Sequence, residues 1–381
     1  MNPESGGVCK AIRDIIFGMS ELYKNCENDV VCVDNPESSF IKNDSINIIA
    51  LGPKKTSWSY CSSLLPWLVT NYRKYDKVIV HGLWQYQSYA IYKAWKKYKF
   101  NYFVMPHGML DPYFQKAKGR KIKALRNSLL WHVVEHKLIN NAKGLLFTCE
   151  EEMLLAKTTF DNYKPAKEII IGLGIHNPPA FSEKFKLAFK LKVNGWDGKP
   201  FWLFLSRIHP KKGVDILINA YLNLLKETKT LPQLIIAGPG LNTEYGNELI
   251  ALAQKNSNIL FPGMLSGDDK WGAFYESELF ILPSHQENFG IAIVEAMACA
   301  KPVIITNKVN IWREINKYEC GYVGNDDYHE LLFLLKKWHT MNTNEKNELS
   351  QNAQETFYKL FSISKAASNF YAAIDESINK Y

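Results

Sequence analysis

A chain of 381 residues with 46% apolar side chains has room for two ordinary domains with their own cores, which excludes a disordered chain. Its net charge of +8 is modest, and seven scattered cysteines with no Cys-x-x-Cys argue against a disulfide framework or zinc knuckle and for a reducing compartment. The N-terminus is polar, without the look of a signal peptide, and no run approaches the ~18–20 apolar residues of a membrane span.

In chain order, short β-branched runs alternate with longer helical patterns. Strands are expected at 29–33, 46–51, 77–81, 101–105, 144–148 and 168–172, then at 201–206, 233–238, 258–261, 278–282 and 302–305. Runs such as Lys77-Val78-Ile79-Val80 and Leu234-Ile235-Ile236-Ala237 are continuously apolar, as parallel strands covered on both faces should be. The alternation implies βαβ units and doubly wound sheets. Turn chemistry concentrates at about 173–200, in Asn177-Pro178-Pro179 and Asn194-Gly195-Trp196-Asp197-Gly198, and predicts the domain break. We therefore expect an N-terminal domain over 1–175 and a C-terminal domain over 176–362. A last helix is expected over 363–381, with Ala367, Phe370, Tyr371, Ile374 and Ile378 at helical spacing.

Five segments carry candidate chemistry. Ser5-Gly6-Gly7-Val8 is a glycine turn at the head of the first helix. Met105-Pro106-His107-Gly108-Met109-Leu110-Asp111-Pro112 follows the strand at 101–105, and His81-Gly82-Leu83-Trp84 follows the strand at 77–81. Both lie at carboxyl ends of strands, where open α/β sheets bind ligands. Arg207 and Lys212 follow the strand at 201–206, at the head of a helix whose N-terminus adds roughly half a positive charge. Finally, Pro283-Ser284-His285-Gln286-Glu287-Asn288-Phe289-Gly290 leads into an apolar helix bearing Glu295, with Gly238-Pro239-Gly240 between the cationic and acidic segments.

Together these segments resemble the retaining glycosyltransferases of the GT-B fold, family 4 (group 1), of the bacterial polysaccharide-building kind. The resemblance implies an α/β architecture of two Rossmann-like doubly wound parallel-sheet domains facing across a cleft, the last helix crossing back to the N-terminal domain. The implied reaction moves a hexose from a nucleoside diphosphate sugar to a hydroxyl of a glycan or polyprenyl-linked acceptor, in capsule, exopolysaccharide or O-antigen synthesis. Such a reaction builds negative charge on the departing phosphate. Arg207 and Lys212 would neutralise it, with Glu287 near the donor sugar and Glu295 on the ribose hydroxyls. The backbone of Asn288, Phe289 and Gly290 would meet sugar and phosphate, and Gly6 and Gly7 would approach the diphosphate from the other domain. The base would be read near Gly263 and Leu265. His107 maps onto the histidine near the transferred sugar; base, hydrogen-bond donor and positioner all stay open for it. No Asp-x-Asp occurs, so no metal and no cofactor are expected. Two rival readings are another GT-B enzyme such as a nucleotide-sugar epimerase, which would turn over donor without acceptor, and a non-catalytic nucleotide-sugar-binding protein.

The resemblance also marks a departure: the family's proteins carry a strand just before the glycine turn, and here that turn comes almost at Met1. We expect either that the native start lies upstream or that the sheet closes around the gap. His132-Val133-Val134-Glu135-His136 matches a His-x-x-Glu-His zinc pattern inside a long helical stretch at 119–141, but no third carboxylate ligand can be assigned. The same stretch is basic, with Lys116, Lys118, Arg120, Lys121, Lys123, Arg126, Lys137 and Lys143, and carries Ile122, Leu125, Leu129 and Val133 at helical spacing. That pattern suits contact with an anionic membrane surface. No nucleic-acid motif accompanies the charge, so the expected location is the cytoplasm, with peripheral contact at the inner face of the cell membrane.

Overall fold

The computed structural model describes residues 1–375 apart from 3–6, 43, 118, 229 and 254–255. It divides into two compact units, Met1–Gly174 with the C-terminal segment from Ile363, and Ile175–Ser362. All eleven expected strands are present, each within a residue or two of its expected bounds. They are β1 (Asp29–Cys32), β2 (Asn47–Ala50), β3 (Val78–His81), β4 (Tyr102–Met105), β5 (Gly144–Phe147), β6 (Glu168–Ile170), β7 (Phe201–Leu205), β8 (Leu234–Ala237), β9 (Ile259–Gly263), β10 (Ser277–Leu282) and β11 (Val303–Thr306).

A twelfth strand, β12 (Gly321–Gly324), was not expected. It offers only Tyr322 and Val323 between two glycines, too little for a periodicity. Its start is fixed by close packing instead. Gly321 has φ +149°, and a Cβ there would lie 1.9 Å from the Val303 carbonyl oxygen.

In the first unit, β3-β4-β5-β6 form one parallel sheet, and β1-β2 form a separate parallel pair. Among the described residues the two sheets share no ladder. The four-stranded sheet shows why its strands read as unbroken apolar runs. Tyr102, Val104, Leu145 and Phe147 face one core, while Phe103, Met105 and Leu146 face another. The second core is closed by α1 (Gly7–Leu22) and α8 (Ile363–Ile374), through Ile15, Met19, Ala367 and Phe370. Those two helices approach closely because Gly18 has no side chain: a Cβ there would stand 2.7 Å from Ile363 Cγ2. Ile378 of the expected last helix lies outside the described residues.

The second unit is a six-stranded parallel sheet in the order β12-β11-β10-β7-β8-β9. The chain starts in the middle at β7, winds outward through β8 and β9, then returns to the other side of β7 with β10. The order therefore reverses between β7 and β10, which is where doubly wound sheets open a ligand crevice at their carboxyl ends. None of the described helices is long and apolar enough to cross a membrane.

Candidate functional site

The reversal between β7 and β10 brings two loops together that are some 75 residues apart in sequence. After β7 the chain runs through Ser206-Arg207-Ile208-His209 into a single 3-10 turn, Pro210–Lys212, and then into α5 (Val214–Thr228). The helix thus starts within one residue of the expected Gly213, and Lys212 ends the tight turn just before it. His209 caps that turn, its Nδ1 accepting from Lys211 N–H at 3.1 Å. Gly213 has φ +65°, and a Cβ there would be 2.1 Å from the Pro283 carbonyl oxygen, so glycine is what lets the two loops touch. His285 N–H donates to Lys211 O at 2.8 Å and closes the contact.

Lys212 is buried, and its ammonium is paired with the Glu287 carboxylate. Arg207 is exposed and forms no ion pair with a described residue. The positive field of this turn is visible in His209, whose imidazole is pushed below its ordinary value by burial first and then by Arg207, Lys211 and Lys212. Glu287 is held by its own backbone: its N–H donates to Lys308 O at 2.9 Å, and its carbonyl accepts from Asn310 N–H at 3.0 Å. The side chain of Asn310 reaches Asn288 Oδ1 at 3.2 Å.

Gly290, at φ +78°, caps α7 (Ile291–Ala298). Phe289 before it is buried edge-on against Phe361, with ring centroids 5.6 Å apart. Glu295, one turn from the end of α7, is paired at 3.0 Å with Lys270 of α6 (Gly267–Glu276), a partner the sequence did not suggest. The neighbouring loops are stitched to the cationic turn by glycines. Ile208 N–H donates to Pro239 O at 2.8 Å, and Gly238 N–H to Gly263 O at 2.8 Å. A Cβ on Gly238 would lie 1.8 Å from Ser206 O. Gly263, expected in a loop, is instead the last residue of β9, paired with Ala237; a Cβ on it would meet nothing within 4 Å. Leu265 is buried just beyond it.

The first unit carries His107 and Gly7. Gly7 opens α1, with open space where a Cβ would stand; Gly6 lies outside the described residues. His107 follows β4, and its Nε2 lies 2.9 Å from Nδ1 of His81 at the end of β3. The two strands are register partners there, His81 beside Met105, so their loops leave the sheet side by side. Both rings are only partly covered. Desolvation still holds His81 down at about 4 and drives His107 well below its ordinary value, with His81 adding to the second effect. Both are neutral at pH 7, so one ring nitrogen donates a single proton to a bare nitrogen of the other. In the His-x-x-Glu-His segment, His132 and His136 each turn Nδ1 onto a backbone carbonyl of their own helix, and Glu135 is buried.

Comparison with known proteins agrees with this geometry. Residues 188–356 match the family model "Glycosyl transferases group 1". An uncharacterised glycosyltransferase of Methanocaldococcus jannaschii is 30% identical over 136 residues, 36% of this chain and 34% of that protein. O-antigen chain mannosyltransferase C of Escherichia coli is 28% identical over 188 residues, 47% of this chain and 48% of that protein. The chain thus spans about a third to a half of the length of these curated relatives. Among solved structures, a glycosyltransferase from Rickettsia africae aligns with a TM-score of 0.75 at 19% identity, covering 100% of this chain and 97% of that one. Anabaena HepE, solved with UDP and glucose, aligns with a TM-score of 0.70 at 19% identity, covering 97% and 96%. These alignments give the fold as GT-B, and over residues 188–356 the chain is similar to the group 1 glycosyltransferases.

Proposed function

We propose that the protein transfers a hexose from a nucleoside diphosphate sugar to a hydroxyl of a glycan or lipid-linked acceptor, with retention at the anomeric carbon, in the synthesis of a bacterial surface polysaccharide. The observation that carries this reading is the junction of the Arg207–Lys212 turn with the Glu287–Gly290 loop at the sheet's reversal point. As the bond from the sugar's anomeric carbon to the diphosphate breaks, negative charge grows on the leaving oxygen. Arg207, Lys212 and the first N–H groups of α5 and α7 neutralise it. The acceptor hydroxyl forms the new bond on the face the diphosphate leaves, and its proton passes to the departing phosphate. Glu295, oriented by Lys270, accepts from the ribose hydroxyls, and the open backbone at Gly263 faces the base. His107 with His81 serves the acceptor side. These cations do the work of a divalent metal, so chelators should leave the rate unchanged. The O-antigen names among the relatives and the UDP bound to HepE support the class of reaction.

The test is a thermal-shift series with UDP, GDP, ADP and CMP. At a hundredfold excess over its dissociation constant, the donor nucleotide should stabilise the fold by about 2.7 kcal/mol. The shift should vanish in Arg207→Ala and Glu295→Ala. No response to any nucleotide, in protein shown to be folded, would overturn the reading.

The acceptor side is proposed to work at an anionic membrane surface. On α3 (Lys121–Leu130) and the turn after it, Ile122, Leu125, Leu129 and Val133 are 87%, 75%, 64% and 54% exposed, one continuous apolar stripe. Arg120, Lys121, Lys123 and Arg126 accompany it. An apolar stripe with cations beside it is what an acidic headgroup layer accepts. We expect co-sedimentation with phosphatidylglycerol vesicles that is lost in Leu125→Asp/Leu129→Asp. Equal binding to phosphatidylcholine, or none to either, would refute the surface.

A further inference from the structure

We propose that two buried carboxyl groups, those of Glu135 and Glu152, are positioning residues that fix the loops bearing the His81–His107 pair. Both loops are bent in the way that ordinary side chains resist. His107 has φ +54° and Gly108 φ +75°; Gly82 has φ +80° and Trp84 φ +70°. For His107 and Trp84 the left-handed conformation costs energy and persists only where the surroundings impose it.

In each loop a backbone N–H is held by a buried carboxyl oxygen. Gly108 N–H donates to Glu152 Oε1, and Trp84 N–H donates to Glu135 Oε1 at 2.8 Å. The other oxygen of Glu152 is engaged as well, by Thr148 N–H at 2.8 Å and the Thr148 hydroxyl at 2.5 Å. Glu152 lies in the first turn of α4 (Glu150–Ala156), and Glu135 ends a π-helical turn, Trp131–Glu135, that follows α3. They are 3% and 1% exposed, so neither can touch a substrate. A lesser contact joins the two loops, Leu83 N–H to Met109 Sδ at 3.1 Å, and the first is braced by its own helix α2 (Tyr86–Tyr98), through Gln87 Nε2 to His81 O at 3.0 Å. The two rings meet at 2.9 Å only while both loops keep this bend. The two carboxyl groups thus act on the rings through one peptide N–H each, a cost in buried polar groups that a purely apolar core would avoid.

The kinetic part of the test rests on the transferase reading; the spectroscopic part does not. In full-length protein with 15N-labelled histidine, His81 and His107 should each show one locked tautomer, assigned through single His→Asn replacements. Glu152→Gln sets an amide NH2 against donors that need an acceptor. The two locked patterns should then average, and kcat should fall by about 10²-fold with the donor KM unchanged. Thr148→Val, a milder change, should loosen the same pattern in part. Glu135→Ala should release it, while Glu135→Gln, which keeps the acceptor for Trp84 N–H, should retain it at pH 7. If folded Glu152→Gln, Thr148→Val and Glu135→Ala all keep the locked tautomers, the assignment is wrong. If the wild-type protein transfers no sugar, the function reading fails while the tautomers still decide this one.

Discussion

Arg207→Ala should lower kcat for glycosyl transfer by about two to three orders of magnitude while leaving the unfolding free energy within about 0.5 kcal/mol of wild type. The two halves of that expectation have different origins. Arg207 is exposed and forms no ion pair with a described residue, so the resting fold loses little when it goes. In the proposed reaction its guanidinium meets the donor's diphosphate and the charge that grows as it leaves, so the loss falls on nucleotide binding and the transition state. Lys212→Ala should lower kcat by a similar factor and differ in stability. Its ammonium is buried against Glu287, and removing it strands a partly covered carboxylate, at a cost of about 1–3 kcal/mol. Single-turnover kinetics paired with urea unfolding would separate the two. A folded Arg207→Ala variant that transfers sugar at the wild-type rate would show that the turn after β7 does not stabilise the leaving group.

Glu135→Gln should remove a fall in stability that the wild-type protein shows between about pH 4.5 and pH 8. Burial raises the Glu135 carboxyl to about 8, against the Trp84 N–H and the Ser88 hydroxyl, which lower it. In the unfolded chain the same group gives up its proton near 4.5. Between those values the folded state holds a proton that the unfolded state has lost, so raising the pH favours unfolding. At about 1.4 kcal/mol per pH unit, the window is worth on the order of 5 kcal/mol. Above pH 8 the loss is complete, and the glutamine protein should be the more stable of the two. His81 works in the opposite sense, since its folded value of about 4 lies below the ordinary 6.5, but it is common to both proteins and cancels in the difference. Urea midpoints at pH 5 and pH 8.5 measure the effect; a wild-type-minus-variant difference that is the same at both would refute it.

Strand positions were legible because parallel strands buried on both faces leave unbroken apolar runs, as in Leu234–Ala237. The edge strand β12 was not, since its place is set by glycine packing on β11. The charged residues that the two joined loops carry were legible by type, because charge in a turn after an apolar strand stands out, as with Arg207, Lys212 and Glu287. Their partnerships were not. Lys270 lies 25 residues from Glu295, on another helix, and nothing in its surroundings marks it. Glu135 was hidden for a different reason. In His-Val-Val-Glu-His it looks like a solvated charge or a metal-site base, and only the winding of the helix decides that it points inward.

That winding has an evolutionary consequence. The π turn at Trp131–Glu135 amounts to one residue inserted into an α-helix. An ordinary helix advances by about 100° per residue, so deleting one residue there would swing everything downstream by more than a quarter turn. The outward stripe from Ile122 to Val133 and the inward set of Trp131, Val134, Glu135 and Leu138 could then not both keep their faces. A homologous protein one residue shorter in this turn should therefore have lost either the greasy outer stripe or the acid behind the Trp84 loop. Alignments of such homologues should show a single-position gap at 131–135 that travels together with one of those two losses.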